Sequence, residues 1–263
     1  MLQCTIAMAA WRPPNSEIQA VNRALALPSA AAAYDRGELA EFNDLYRNGQ
    51  YEEALEGYKL MIAKEPSNQW AWYNAGNTIF RLNRLGPAVF NYTMAFLLDP
   101  RSQDIRANLD FALRQTGQSL VPEGAPAALH YLYFIISEAE LKAAAMLLFW
   151  LACLTGAAAF LLDGGRGGAF AGRVSLAAAG LLVFTVVWLG ARQSSPFSSA
   201  GVVTKAGGTR MLSGPGDKFK TYASAPEGRL VRILDTGDEA YYEIGLPKEG
   251  IKGWALKTEI EKL

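Results

Sequence analysis

The sequence has few residues that support metal or redox chemistry. In 263 residues there are two cysteines, Cys4 and Cys153, and one histidine, His130. This set excludes a disulfide framework and zinc sites of Cys/His spacing, and it leaves little material for histidine-dependent catalysis. The nucleophile-elbow, metalloprotease and phosphate-loop motifs are also missing. We therefore expect a protein that is not an enzyme and that uses no metal or cofactor.

Charge is balanced, whereas hydrophobicity is concentrated in two runs. The 25 basic and 25 acidic residues give no broad basic surface, so nucleic acid is not expected as a partner. Residues 143–162 and 174–191 contain no charged residue. Each run can cross a hydrocarbon layer of roughly 30 Å at about 1.5 Å per residue. We expect two transmembrane helices, the alternative being a pair of buried core helices.

The two runs are joined by a loop of eleven residues, 163–173, so the helices are expected to be antiparallel with their outer ends on one side. Both runs carry small residues that let helices pack closely in lipid. These residues are Ala152, Gly156 and Ala159 in the first run, and Ser175 and Ala179 in the second. Arg166 and Arg173 in the loop favour its placement in the cytoplasm, which would put both outer domains outside.

The N-terminal part repeats itself at a spacing of 34 residues. The matched pairs are Ala54 with Ala88, Tyr58 with Tyr92, Pro66 with Pro100, Asn43 with Asn77, Arg47 with Arg81, and Asn74 with Asn108. Such a period is typical of a solenoid built from helix–turn–helix units. The small alanines let the helices of one unit approach, the tyrosines fill the space between units, and each proline stops a second helix. We expect units at 35–68 and 69–102, followed by a further helix at 103–115.

Six polar residues recur on the first helices of these units and define what we call the asparagine–arginine face. They are Asn43, Arg47, Asn74, Asn77, Arg81 and Asn108. A primary amide can pair with the backbone of an extended peptide, and an arginine can hold a carboxylate. The face is therefore predicted to bind a partner protein. The alternative is that these residues are polar fillers of a solvated face.

The repeat resembles the tetratricopeptide family. Trp72, Gly76, Ala88, Tyr92 and Pro100 match that family's pattern in the unit 69–102. The first unit departs from it, with Glu41 and Phe42 where leucine and glycine are usual. The resemblance implies peptide binding by asparagines at these helix positions, over the range 35–117.

The C-terminal residues 201–263 form short alternating runs broken by glycine. The segments Leu230–Leu234 and Tyr241–Ile244 are rich in strand-forming residues, and SGPG, PEG, DTGD and PKEG supply turns. Five or six short strands are expected, which suggests a small barrel.

This C-terminal segment resembles the bacterial SH3-like domain. The resemblance is carried by Arg210, Ser213–Gly216, Glu227–Gly228 and Gly253–Trp254. It implies that Trp254 is a core anchor, with a ligand contact as the alternative, and that the domain binds partner proteins or cell-wall peptides.

The order of these parts, with the segment 73–113, resembles the BatE-like family of the bacterial aerotolerance (Bat) operon. The resemblance implies a scaffold in the bacterial inner membrane, with the repeats and the SH3-like domain on the periplasmic side. The implied partners are von Willebrand factor A-domain membrane proteins and a MoxR-type ATPase. We expect a non-enzymatic, membrane-anchored scaffold in an envelope complex for stress or oxygen tolerance. The alternatives are a peptidoglycan-binding membrane protein and an enzyme-associated subunit.

The whole sequence is therefore predicted to be a multidomain membrane protein: an all-α tetratricopeptide solenoid, a two-helix transmembrane hairpin and a small all-β SH3-like barrel. Residues 118–142 are expected to form a linker and a segment at the membrane interface. Residues 1–34 are an atypical start, in which LALPSAAAA (25–33) looks like the tail of a signal peptide behind a stretch that is too polar. A cytoplasmic location of the repeats is the alternative that this start leaves open.

Overall fold

The computed structural model describes residues 39–121, 124, 126–162, 165–193 and 199–263. The interpretation of 1–34 as a remnant signal lies outside these residues. The described helices are α1 (Ala40–Arg47), α2 (Tyr51–Lys64), α3 (Gln69–Arg81), α4 (Leu85–Leu98), α5 (Gln103–Gln115), α6 (Ala127–Phe134), α7 (Glu138–Leu161) and α8 (Arg166–Gln193). The strands are β1 (Ala200–Val203), β2 (Thr209–Leu212), β3 (Thr221–Ala225), β4 (Leu230–Asp235), β5 (Tyr241–Leu246), β6 (Ile251–Leu256) and β7 (Ile260–Lys262).

Helices α1 to α5 form a helical domain in which each helix packs on the next. The turns after α1, α3 and α5 each contain one residue with a positive φ: Gly49 at 80°, Asn83 at 57° and Gly117 at 69°. Glycine and asparagine tolerate this left-handed conformation best, which explains their presence at these turns. The three residues are 34 positions apart. The period of the sequence is therefore also a period of the backbone.

The residues matched by the repeat occupy the core of this domain. Ala54 and Ala88 are 0% exposed, and Tyr58 and Tyr92 are 1% exposed. A side chain at Gly76 would lie 2.7 Å from the ring of Tyr92, so the glycine makes room for the tyrosine.

In the first unit, a glycine on α2 makes room for the phenylalanine that replaces the usual glycine on α1. Phe42 stands at the position that glycine occupies in the second unit, and it packs on Gly57 of α2, where an added side chain would overlap its ring. Helices α2 and α4 end two residues before Pro66 and Pro100, as expected. The predicted helix 103–115 is α5, whose first turn is capped by Ser102.

Helices α7 and α8 form an apolar hairpin. The capping box that opens α7 pairs Ser137 with Glu140. The hydroxyl of Ser175 donates to the carbonyl oxygen of Ala152 at 2.9 Å, which brings a predicted small residue of each helix into contact. Both helices are long and apolar enough to cross a membrane. Their large side chains point outward, as shown by Phe160 at 85% exposed, so they are not the buried core helices of the alternative.

The loop of the hairpin is shorter than predicted, because α8 begins at Arg166. Residues 166–173 are expected in the loop because the second charge-free run begins only after Arg173. In the structure Gly168 and Gly172 face Ala159 of α7, at distances where added side chains would be in contact. Their lack of a side chain allows the two helix backbones to stay close, and the helix continues through them.

Residues 200–262 form a β-domain with one antiparallel sheet in the order β3-β2-β6-β5-β4-β1-β7. It has seven strands where five or six were expected. Its core includes Val203, Met211, Val231 and Ile244.

The expectation that Trp254 is a core anchor is wrong. Gly253 and Ala255 are the buried residues of β6, whereas Trp254 is only partly buried and pairs with Leu212 of β2 at the opposite face. Successive residues of a strand face opposite sides of a sheet, so the tryptophan cannot share the core with its neighbours.

The β-domain docks on the helical domain. A carboxylate oxygen of Glu227 accepts from the backbone N–H of Gly86, in the first turn of α4, at 2.8 Å. The side chain of Gln118 donates to the carbonyl of Gly228 at 2.9 Å and accepts from the N–H of Leu230 at 3.0 Å. Val202 of β1 belongs to the same apolar core as the helices.

Candidate partner-binding face of the helical repeats

The structure brings the asparagines of the asparagine–arginine face into two hydrogen-bonded groups. In the first group, the side-chain oxygen of Asn43 accepts from the hydroxyl of Tyr58 at 2.7 Å and from the amide of Asn74 at 3.0 Å. Asn43 lies on α1, Tyr58 on α2 and Asn74 on α3. The group therefore joins the two helices of one unit to the first helix of the next.

The second group repeats this arrangement one unit later. The side-chain oxygen of Asn77 accepts from the hydroxyl of Tyr92 at 2.8 Å and from the amide of Asn108 at 2.9 Å. The amide of Asn108 also donates to the hydroxyl of Tyr73 at 3.0 Å. We call the two groups together the amide ladder.

Sequence reasoning found the asparagines but missed their tyrosine partners. Both tyrosine–asparagine bonds span 15 residues, and both asparagine–asparagine bonds span 31. A search for pairs of polar residues that recur together at 34-residue spacing would have matched Asn43 and Tyr58 with Asn77 and Tyr92. The sequence predicted only that the tyrosine rings fill the space between units. In the structure their hydroxyls also donate to the asparagines.

The ladder is electrically neutral, and burial keeps it so. Burial raises the pKa of Tyr73 to about 12, and it raises the pKa of Tyr92 well above its usual value. Desolvation disfavours the charged phenolate in both cases. Both hydroxyls therefore keep their protons, and the hydroxyl of Tyr92 can donate to Asn77.

The two arginines of the face make different contacts. Arg47 is exposed and its guanidinium pairs with Asp44, one turn earlier, at 2.8 Å. Arg81 is half-buried, and its Nε donates to the hydroxyl of Tyr46 at 3.3 Å.

The face retains part of its capacity to bind a peptide. An amide oxygen has two lone pairs, and both are used at Asn43 and Asn77. Asn108 is buried and donates twice from its amide nitrogen. Asn74 is half-buried and commits one of its two N–H groups to the ladder. Asn74 thus keeps a donor group that the ladder does not use.

Comparison with known proteins gives no further guide to this face. No protein-family model matches the chain, and no curated protein matches it.

Proposed function

We propose that the chain is a non-enzymatic scaffold, anchored in a membrane by α7 and α8, that binds an extended segment of a partner protein on its asparagine–arginine face. The observation that carries the proposal is that the hydrogen bonds to the β-domain lie away from this face. The contacts of the β-domain are made with Gly86 of α4 and with Gln118 after α5, whereas the face lies on α1, α3 and α5. These hydrogen bonds are made by Gly86 and Gln118, and not by the six residues of the asparagine–arginine face.

The resemblance to tetratricopeptide repeats supports this proposal, since the asparagines occupy positions that bind peptides in that family. The resemblance of the β-domain to bacterial SH3-like domains adds a second module for partner proteins. By the BatE-like likeness, the partners to test first are von Willebrand factor A-domain membrane proteins and a MoxR-type ATPase. The proposed location is the bacterial inner membrane, with both domains on the periplasmic side.

A photocrosslinking experiment tests the binding face. We would place benzoylphenylalanine at position 47, on α1, in the full chain expressed in cells, and at position 59, on α2, as the matched control. Both native residues are exposed and pair with an acidic neighbour, Arg47 with Asp44 and Lys59 with Glu56. We expect one dominant crosslinked protein from position 47 and none from position 59.

The same experiment in an Asn74→Ala/Arg81→Gln background checks that the face itself recognises the partner. These changes leave the Asn43–Tyr58 and Asn77–Tyr92 bonds in place, so the fold is expected to persist. We expect the crosslink from position 47 to disappear. Equal crosslinking from positions 47 and 59, or an undiminished crosslink in the double variant, would show that the face is a solvated surface. Extraction of the wild type from membranes by alkaline carbonate would separately disprove the membrane anchor.

A further inference from the structure

Helix α6 lies where the helical domain meets the apolar hairpin, and it is apolar on two sides. On one side Phe134 is buried, with its ring centroid 5.4 Å from that of Phe96 in α4. On the other side Leu129, Leu132 and Ile135 are 61%, 57% and 44% exposed. Two of these side chains belong to the eight-residue helix and Ile135 follows its last residue. An exposed apolar patch of this kind needs a partner that is itself apolar.

A cleft of about 390 Å³ opens between this helix and the α4–α5 turn. Its lining includes Pro100, Arg101, Arg106, Tyr131, Leu132 and Ile135. Arginine thus borders the cleft on the side of α5, and apolar side chains border it on the side of α6. The cleft is therefore amphipathic.

The two arginines differ in how far their charge is compensated. Arg101 donates to Glu140 at 2.7 Å and has Asp99 at 4.0 Å. Arg106 lies 4.6 Å from the centroid of the Tyr131 ring. Within the described segments, no carboxylate forms an ion pair with Arg106. Its positive charge is the one available to an anion.

The position of the cleft relative to a membrane follows from the hydrogen bond between Arg101, which lines the cleft, and Glu140 of α7. Glu140, which pairs with Arg101, lies three residues before the start of the charge-free run at Ala143. At about 1.5 Å per residue, that is about 4.5 Å along the helix axis. If α7 spans a bilayer, Arg101 is therefore at the level of the lipid headgroups, and the cleft that it lines is close to the acyl chains.

We propose that this cleft binds one membrane phospholipid. The phosphate lies against Arg106 and beside Arg101, and an acyl chain covers Leu132 and Ile135. Guanidinium and phosphate form strong charge-assisted hydrogen bonds, and the chain removes the exposed apolar surface from water. The inference rests on the membrane anchoring of the proposed function, but not on its partner-binding face.

The test is a lipid titration of the purified full chain in dodecyl maltoside micelles, followed by native mass spectrometry. The main probe is palmitoyl-oleoyl-phosphatidylglycerol, whose single charge is on the phosphate. Inorganic phosphate supplies the charge without chains, and dioleoylglycerol supplies chains without the charge. We expect the wild type to retain one phosphatidylglycerol and to retain neither of the other two probes.

Variants then assign the site. Arg106→Gln is expected to weaken retention of phosphatidylglycerol by about tenfold, and Leu132→Gln, at an exposed position, is expected to weaken it as well. Arg114→Gln, at the other end of α5, is the matched control and should bind like the wild type. Circular dichroism of each variant checks that helix content is unchanged.

Retention that is equal in Arg106→Gln and the wild type would overturn the proposal. So would equal binding of inorganic phosphate, which would indicate a site for soluble anions, or of dioleoylglycerol, which would indicate a purely apolar cleft. A protein that resists carbonate extraction yet retains no lipid would overturn this site alone. A protein released by carbonate would instead overturn the membrane anchor on which it rests.

Discussion

The helical domain and the apolar hairpin are built from the same secondary structure but pack in opposite ways. In the helical domain the large side chains are inside, as Tyr58 and Tyr92 show at 1% exposed. In the hairpin the small residues are inside: a side chain at Gly156 would lie 3.2 Å from the hydroxyl of Ser175, while Phe160 points outward. Burial of apolar area drives helices together in water, but not in lipid, where close backbone packing takes its place. The contrast supports the proposal that one region is solvated by water and the other by lipid.

The largest expected effect tests this contrast directly. Tyr92→Ala removes a fully buried ring of the helical domain, and we expect it to lower the free energy of unfolding by about 3–5 kcal/mol. Phe160→Ala removes a ring of similar size from the outer surface of the hairpin and should change stability little. Thermal unfolding of both variants in detergent micelles, followed by circular dichroism of the helical domain, gives the comparison. A similar loss in both would mean that the hairpin surface is covered by protein.

The stability of the helical domain is expected to depend on pH above 10, because the tyrosines of the amide ladder titrate there. The pKa of Tyr73 is raised to about 12 in the folded state and is about 10 in an unfolded chain. Below pH 10 both states hold the proton and the contribution of Tyr73 is complete. Between pH 10 and 12 the unfolded chain releases its proton first, so up to about 2.7 kcal/mol of stability is lost.

Tyr73→Phe is the control for this prediction, since it removes the titrating group. The free energy of unfolding by urea, measured from pH 9 to 12, should fall more steeply in the wild type than in the variant. Parallel slopes would show that the hydroxyl of Tyr73 ionises as easily in the folded chain as in water.

Much of the helical domain was predictable, because the residues that recur in a repeat indicate which positions are buried between its helices. Small or aromatic residues that recur every 34 positions are expected to occupy equivalent positions in successive units. Ala88 and Tyr92 are buried in the second unit as Ala54 and Tyr58 are in the first. The same period could not reveal the pairing of Tyr92 with Asn77, since spacing identifies a face without showing which side chains touch across it. The docking of Glu227 on Gly86 was not predictable either, because the two residues are 141 positions apart and neither recurs.

In the other two regions, local composition pointed in the wrong direction. Residues 166–173 lie outside the charge-free runs and were therefore expected in the loop, but Gly168 and Gly172 contact Ala159 and continue α8. Trp254 was expected in a core because the resemblance to bacterial SH3-like domains implies a core anchor there. Trp254 lies between Gly253 and Ala255, which face the core, so its own side chain is on the other face of β6.

The boundary between the helical domain and the β-domain gives the next prediction. A side chain at Gly86 would lie 2.5 Å from the carbonyl oxygen of Val203, so Gly86→Ala should force the two domains apart, at a cost of about 1–3 kcal/mol. Gly190→Ala, in α8, is the matched control because nothing lies within 4 Å of the added side chain. Hydrogen exchange of the first turn of α4 should accelerate in the first variant only. Unchanged exchange there would mean that the domains do not hold this contact in solution.

A smaller effect is expected within the amide ladder. Asn77→Ala and Tyr92→Phe each remove one partner of the same hydrogen bond. A double-mutant cycle should therefore give a coupling energy of about 0.5–1.5 kcal/mol. The cycle uses urea unfolding at neutral pH, and Asn43→Ala with Tyr58→Phe should give a similar value, because the two pairs are equivalent by the repeat. A coupling near zero in both cycles would show that water replaces these bonds at no cost.

The smallest effect is expected in the apolar hairpin and completes the comparison. Ser175→Ala removes the hydrogen bond to the carbonyl of Ala152 but keeps a small residue against Gly156. Hydrogen bonds between helices in a membrane contribute about 0.6 kcal/mol on average, because lipid-exposed helices find other partners when they separate. Ser175→Leu should be far more disruptive, since the two helices approach so closely at Gly156 that the longer side chain has no room. Unfolding in dodecyl maltoside with increasing sodium dodecyl sulfate measures both variants. A large loss in Ser175→Ala with little added loss in Ser175→Leu would mean that the hydroxyl, and not the close approach of the backbones, holds the hairpin together.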